Sequence, residues 1–94
     1  MLFNQSRWFR KMVKEIDLRK CVDFSDKKYV VKTQLYEKNI PIYSIVIYEY
    51  IEYIDEYKSE RWRSIYSEYY SKVETAIERH NYISNNINEF IERN

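Results

Sequence analysis

No glycine occurs anywhere in the 94 residues. Average usage is roughly 7%, so this absence restricts the backbone more than any motif does. Glycine enters positive φ without steric cost, and tight primed hairpin turns lean on it. A chain without it suits helices joined by short polar links. Pro41, the only proline, fits the first turn of a helix, where a missing N–H leaves nothing unsatisfied. The same absence removes P-loop and dinucleotide fingerprints in their usual form, because both need glycine for the backbone to approach phosphate.

The length fits one domain, residues 1–94. Hydrophobic residues at 45% and charged residues at 33% give a globular composition, not a disordered one. Cys21 is the only cysteine, so no internal disulfide and no cysteine-based zinc site can form. A reducing, cytoplasmic location fits that usage. An organellar location is the alternative, because residues 1–14 are basic and free of acids, as transit peptides are. The longest strongly apolar run, Ile40 to Tyr48, is far short of a membrane span.

Helical spacing recurs along the chain. In "MLFNQSRWFRKMVK" and the two residues after it, Phe9, Met12, Val13 and Ile16 fall on one side, with Arg7, Arg10, Lys11 and Lys14 mostly opposite. The pattern predicts a basic amphipathic helix capped by Asn4 or Ser6. Ser25 can cap a second helix starting at Asp26, with Phe24 and Tyr29 as a hydrophobic staple. In "IPIYSIVIYEYIEYIDEY", Ile40, Tyr43, Ile47, Tyr50, Ile54 and Tyr57 step by three and four, as do Glu49, Glu52, Glu56 and Glu60. Alternation of period two fails there beyond Tyr48, because Glu49 and Glu52 fall on opposite faces. The longest stripe is Trp62, Tyr66, Tyr69, Val73, Ala76, His80, Ile83, Ile87 and Phe90, a heptad pattern over four repeats.

These periods predict an all-α fold, a small bundle or helical hairpin with a long C-terminal amphipathic helix. The helices fall near 5–21, 26–38, 41–57 and 60–92, with the last two forming a hairpin or one continuous rod. The alternative is α+β with one β-hairpin at 28–36/42–50, in which Tyr29, Val31, Thr33 and Leu35 alternate inward.

Little in the chain points to catalysis. His80, the only histidine, lies in the apolar stripe, where a core or interface role is the default. Neither Glu78 nor any serine is placed to complete a triad with it. Pairs such as Glu49/Glu52 and Glu52/Glu56 could ligate a metal, but a solvated acidic face explains them. The Glu-x-x-His of di-iron bundles is absent, since Ile77 stands three before His80. No catalytic residue, metal or cofactor is expected.

The charge is uneven. Residues 1–38 carry ten Lys/Arg and five Asp/Glu, a net of +5; residues 39–94 carry six and ten, a net of −4; together they give the chain's +1. The eleven tyrosines exceed what a small core needs. Tyr, Trp and Arg are enriched where interfaces concentrate their binding energy. The expectation is therefore a non-enzymatic protein–protein interaction protein, a small subunit of a larger assembly or a mobile-element-encoded inhibitor of a protein target. Its partner contacts are assigned to Arg7, Trp8, Arg10, Lys11 and Lys14, and to the off-stripe Tyr48, Tyr53, Tyr70 and Tyr82. The 62–90 stripe is assigned to the core or to a homodimer. The alternative is a nucleic-acid-associated factor using the basic N-terminal helix, against which the near-neutral charge and the acidic C-terminal half argue.

Overall fold

The computed structural model of the chain describes residues 15–37, 39–54 and 59–91, with the side chains of 52–54 and 59 left out of the description. Within them the chain runs β1 (Asp17–Phe24), β2 (Lys27–Glu37), β3 (Ile42–Ile54), β4 (Ser59–Tyr70), α1 (Val73–Asn85) and α2 (Ile87–Ile91). The strands form one antiparallel sheet in the order β1-β2-β3-β4, each paired with its neighbour in sequence. Both helices pack on one face of it.

The all-α expectation is overturned, and the reasons are local. Residues 17–70 are rich in Val, Ile and Tyr, which fit a pleated, half-buried surface better than a helix. The expected helix 5–21 gives way to β1 from Asp17, while residues 1–14 lie outside the described part. The expected helix 26–38 is β2. The helix expected at 41–57 and the first part of that at 60–92 are β3 and β4, paired side by side. The structure is therefore neither helical hairpin nor rod. The alternative hairpin at 28–36/42–50 coincides with the β2–β3 pairing, but it omits β1 and β4.

Ser25 and Asp26 show how a chain without glycine makes a hairpin. They connect β1 to β2 with φ of 54° and 64°. Both lie in the left-handed region that a two-residue primed turn requires. Asp tolerates that region better than most residues, and the two strands it joins repay the cost. The Phe24–Ser25–Tyr29 pattern read as a helix start is the approach to this turn. Pro41 stands just before β3, where no ladder N–H is needed.

On the helix-facing side, Tyr29, Val31, Thr33 and Leu35 of β2 oppose Glu49, Ile47, Ile45 and Tyr43 of β3. Ile45, Ile47, Val31 and Ile83 are fully buried, each contributing about 1.5–3 kcal/mol relative to exposure. The stripe expected to run from Trp62 is a true helical stripe only from Val73: Val73, Ala76, His80, Ile83, Ile87 and Phe90 are buried. It continues across Asn86, which ends α1. The Asn86 backbone N–H donates to the Ile83 carbonyl at 3.2 Å and its Nδ2 donates to the Tyr82 carbonyl at 2.9 Å.

Three register shifts interrupt the ladders. Tyr36, Ile51 and Ile65 are the extra residues at Leu35/Glu37, Tyr50/Glu52 and Ile47/Tyr48. Bulges of this kind re-aim the residues that follow, and the one at Ile51 explains the broken alternation beyond Tyr48. Glu49 adds to the effect because it is an acid on the inner face, 7% exposed.

Candidate interaction face

The two acids of the inner face, Glu49 and Glu68, are both held by cations. Arg63 Nη2 donates to Glu49 Oε1 at 2.7 Å, and Lys27 approaches the same carboxylate at 3.9 Å. Tyr29, opposite Glu49, has its phenol raised by burial and then by that carboxylate. Glu68 accepts from four donors: Arg79 Nε at 2.8 Å, Arg79 Nη2 at 3.1 Å, Tyr66 OH at 2.6 Å and Tyr70 OH at 2.8 Å. Burial pushes the Glu68 carboxyl up, but these hydrogen bonds outweigh it and hold it below its ordinary value. The same carboxylate raises Arg79, chiefly through the bonds it accepts. It also raises the Tyr66 phenol, while the Tyr70 phenol is raised first by burial and then by Glu68. The Arg79 guanidinium lies over the Tyr82 and Phe90 rings at 5.2 and 5.5 Å. This network clamps α1 to β4.

His80 is equally committed. It is 6% exposed, and a 2.7 Å hydrogen bond joins its Nδ1 and Oγ1 of Thr33, which is 0% exposed. Burial lowers its pKa. The pair sits in the helix–sheet core. Among the described residues, no group of three or more His, Cys, Asp or Glu could hold a metal ion. No described helix is long and apolar enough to cross a membrane.

The opposite face of the sheet is different. Neither described helix packs on it. Its cross-strand rows are Asp17–Gln34–Ser44–Tyr69, Arg19–Lys32–Val46–Ser67 and Cys21–Val30–Tyr48–Ser64, followed by the pairs Asp23–Lys28 and Tyr50–Trp62. An antiparallel sheet with one solvated face usually places polar residues there. Here Val30, Val46, Tyr48, Tyr50 and Trp62 form a half-buried apolar and aromatic band across three strands. Tyr50 and Trp62 meet edge to face at 5.2 Å. Tyr36 and Tyr69, 64% and 55% exposed, meet edge to face at 5.6 Å. They approach from the two strands flanking Ser44, whose small side chain lets the rings converge; Ser44 itself is only 2% exposed.

The residues expected to bind a partner divide across the two faces. Tyr48 lies in the outer band. Tyr70 lies on the inner side, bonded to Glu68. Tyr82 is exposed on α1, with its hydroxyl donating to Glu89 Oε2 at 2.6 Å. The side chain of Tyr53, and Arg7, Trp8, Arg10, Lys11 and Lys14, lie outside the described residues. In the stripe, Trp62 and Tyr69 belong to the outer face and Tyr66 to the inner, so these three share no surface. Val30, Val46, Tyr36, Arg19, Lys32 and Cys21 carry no signal in a helical reading. Alternation at 29–36 and 42–50 would have placed most of them together.

No protein-family model matches the chain, and neither the curated proteins nor the solved structures contain a match.

Proposed function

We propose that this chain is a non-enzymatic protein-binding module, a small subunit or an inhibitor, that receives its partner on the sheet face that neither described helix covers. The supporting observation is the aromatic band Tyr48, Tyr50 and Trp62, flanked by the Tyr36–Tyr69 pair, on a face that neither described helix covers. Tyr and Trp supply rigid contact area with few torsions to freeze, which is why they anchor interfaces.

Cys21 supplies a direct assay. It is the only cysteine, it is exposed, and it stands on the same face opposite Val30. A partner recovered from native extract with the tagged chain, in the presence of nuclease, should slow alkylation of Cys21 when added back purified. Tyr48→Ser with Trp62→Ser should abolish that protection while leaving the far-UV spectrum unchanged. A partner that binds without protecting Cys21 would move the interface elsewhere. Partners that disappear with nuclease would favour the nucleic-acid reading. Protection that depends only on the chain's own concentration would indicate a homodimer.

A further inference from the structure

We infer that the partner on this face is a protein segment presenting carboxylates beside apolar side chains, with the carboxylates seated between Arg19 and Lys32. The inference rests on the proposed function and adds the chemistry of the partner. Arg19 and Lys32 are directly opposite on adjacent strands and point to the outer face. Like charges directly opposite destabilise a sheet pair. Lys28 adds a third cation on the same strand and face as Lys32. Among the described residues no ion pair reaches Lys28 or Lys32, and Arg19 is held only by the exposed Asp17 on its own strand at 3.4 Å. The acids buried on the inner face, Glu49 and Glu68, are by contrast each paired with an arginine. A carboxylate placed between Arg19 and Lys32 would replace repulsion with charge-assisted hydrogen bonds.

The rest of the face sets the register of such a partner. Across Val46 the surface becomes aromatic, with Tyr48 and Trp62 on β3 and β4 and the exposed Glu60 accepting from Trp62 Nε1 at 3.0 Å. Cations and aromatics are thus separated by about two strand spacings, roughly 10 Å. The four strands, 8, 11, 13 and 12 residues long, present on the order of 700 Å², against roughly 800 Å² per partner in a standard interface. Only the band from Val30 to Trp62 is apolar, so a charge contribution is needed. A phosphate backbone fits less well. A nucleic-acid backbone carries a charge on every unit and would meet Asp17, Asp23 and Glu60 as well as the bases, whereas a peptide can confine its carboxylates to Arg19 and Lys32.

The test uses the full chain and defined probes, read by the rate of Cys21 alkylation. The probes are a twelve-residue peptide alternating Glu and Leu, its Lys–Leu counterpart, and a twelve-nucleotide oligouridylate. The Glu–Leu peptide should slow alkylation by about threefold or more, and the effect should fade as salt rises from about 50 to about 500 mM. The Lys–Leu peptide should do nothing. Arg19→Ser with Lys32→Ser should remove the protection and, having lost a like-charge pair, should not lower the thermal midpoint. Protection that survives Arg19→Ser/Lys32→Ser but is lost in Tyr48→Ser/Trp62→Ser would overturn the acidic partner and leave the interface reading standing. Protection by oligouridylate alone would overturn it in favour of nucleic acid. Protection that follows only the chain's own concentration would overturn it in favour of a second copy. No protection by any probe would overturn it outright.

Discussion

Asp26→Gly is expected to stabilise this protein. Ser25 and Asp26 turn the chain from β1 to β2 at φ of 54° and 64°. A residue with a Cβ costs roughly 1–2 kcal/mol in that region, with aspartate at the low end. Glycine removes the steric cost but gives back about 0.5–1 kcal/mol through the greater freedom of its unfolded chain. The balance for Asp26→Gly is a gain of about 0.5 kcal/mol. Adding Ser25→Asn completes the Asn-Gly pair that primed two-residue turns prefer, and brings the gain to about 1 kcal/mol. For a domain of this length that corresponds to a rise of about 4–8 °C in Tm. Urea unfolding followed by tryptophan fluorescence and far-UV dichroism should show a higher midpoint at unchanged slope, the signature of altered stability without altered compactness. The sign decides the matter. Were Asp26 the first residue of a helix, glycine there would cost up to about 1 kcal/mol and the midpoint would fall. A fall would refute the hairpin. Ser25→Val should act oppositely, losing about 1–2 kcal/mol because a β-branched side chain fits positive φ poorly.

Stability should decline on both sides of a neutral plateau. His80 has a lowered pKa, so its contribution is present above about 6.5 and is lost as pH falls through the lowered value. Glu68 is also lowered, so its contribution is present above about 4.3 and is lost in the same direction. Tyr29, Tyr66 and Tyr70 are raised, so their contribution holds below about 10 and is lost as pH rises further. Urea midpoints across pH 4 to 11 would contradict this if pH 5 proved more stabilising than pH 7.5. Glu68→Gln should cost about 1–3 kcal/mol by stranding the Arg79 guanidinium; a loss under about 0.5 kcal/mol in urea unfolding would show that the clamp carries no net stability. Ile45→Ala should cost about 2–5 kcal/mol, while Val46→Ala, its neighbour on the outer face, should cost less than about 1 kcal/mol. Equal costs would mean that the register is wrong by one residue.

The helical reading is overturned except in its C-terminal part, from Val73. From Val73 onward the steps of three and four follow a real helix, because one face meets the sheet and the other meets water. Before Val73 the same steps coincide with strands, and three physical features hide them. Acids lie on the inner face: Glu49 and Glu68 are held there by Arg63 and Arg79, partners that no local pattern reveals. Bulges at Tyr36, Ile51 and Ile65 reset the period of two. Ser25 and Asp26 form a turn whose usual residues are absent, so the lack of glycine argued against hairpins that the chain makes by accepting positive φ. Propensity held the better information, since Val, Ile, Thr and Tyr crowd residues 29–36 and 42–50. The outer face then followed from parity alone: Val30 and Lys32, like Val46, Tyr48 and Tyr50, occupy the even positions of their strands.

The aromatic residues that obscured the strands are also those that mark the candidate site. A strand betrays itself by alternating apolar and polar residues only when one of its faces meets solvent. On β3, Tyr43, Ile45 and Ile47 face the helices while Val46, Tyr48 and Tyr50 face outward. With apolar groups on both faces, the alternation disappears and a run remains that a helical spacing can also fit. A central strand of that kind belongs to a sheet covered on both sides. The two described helices cover one side, and their stripe from Val73 to Phe90 is used up in doing so. On the proposed reading, the apolar outer face of β3 is where the partner would add a second layer, over Tyr48 and Trp62. Arg19 and Lys32, directly opposed at its margin, would then set the charge that layer brings.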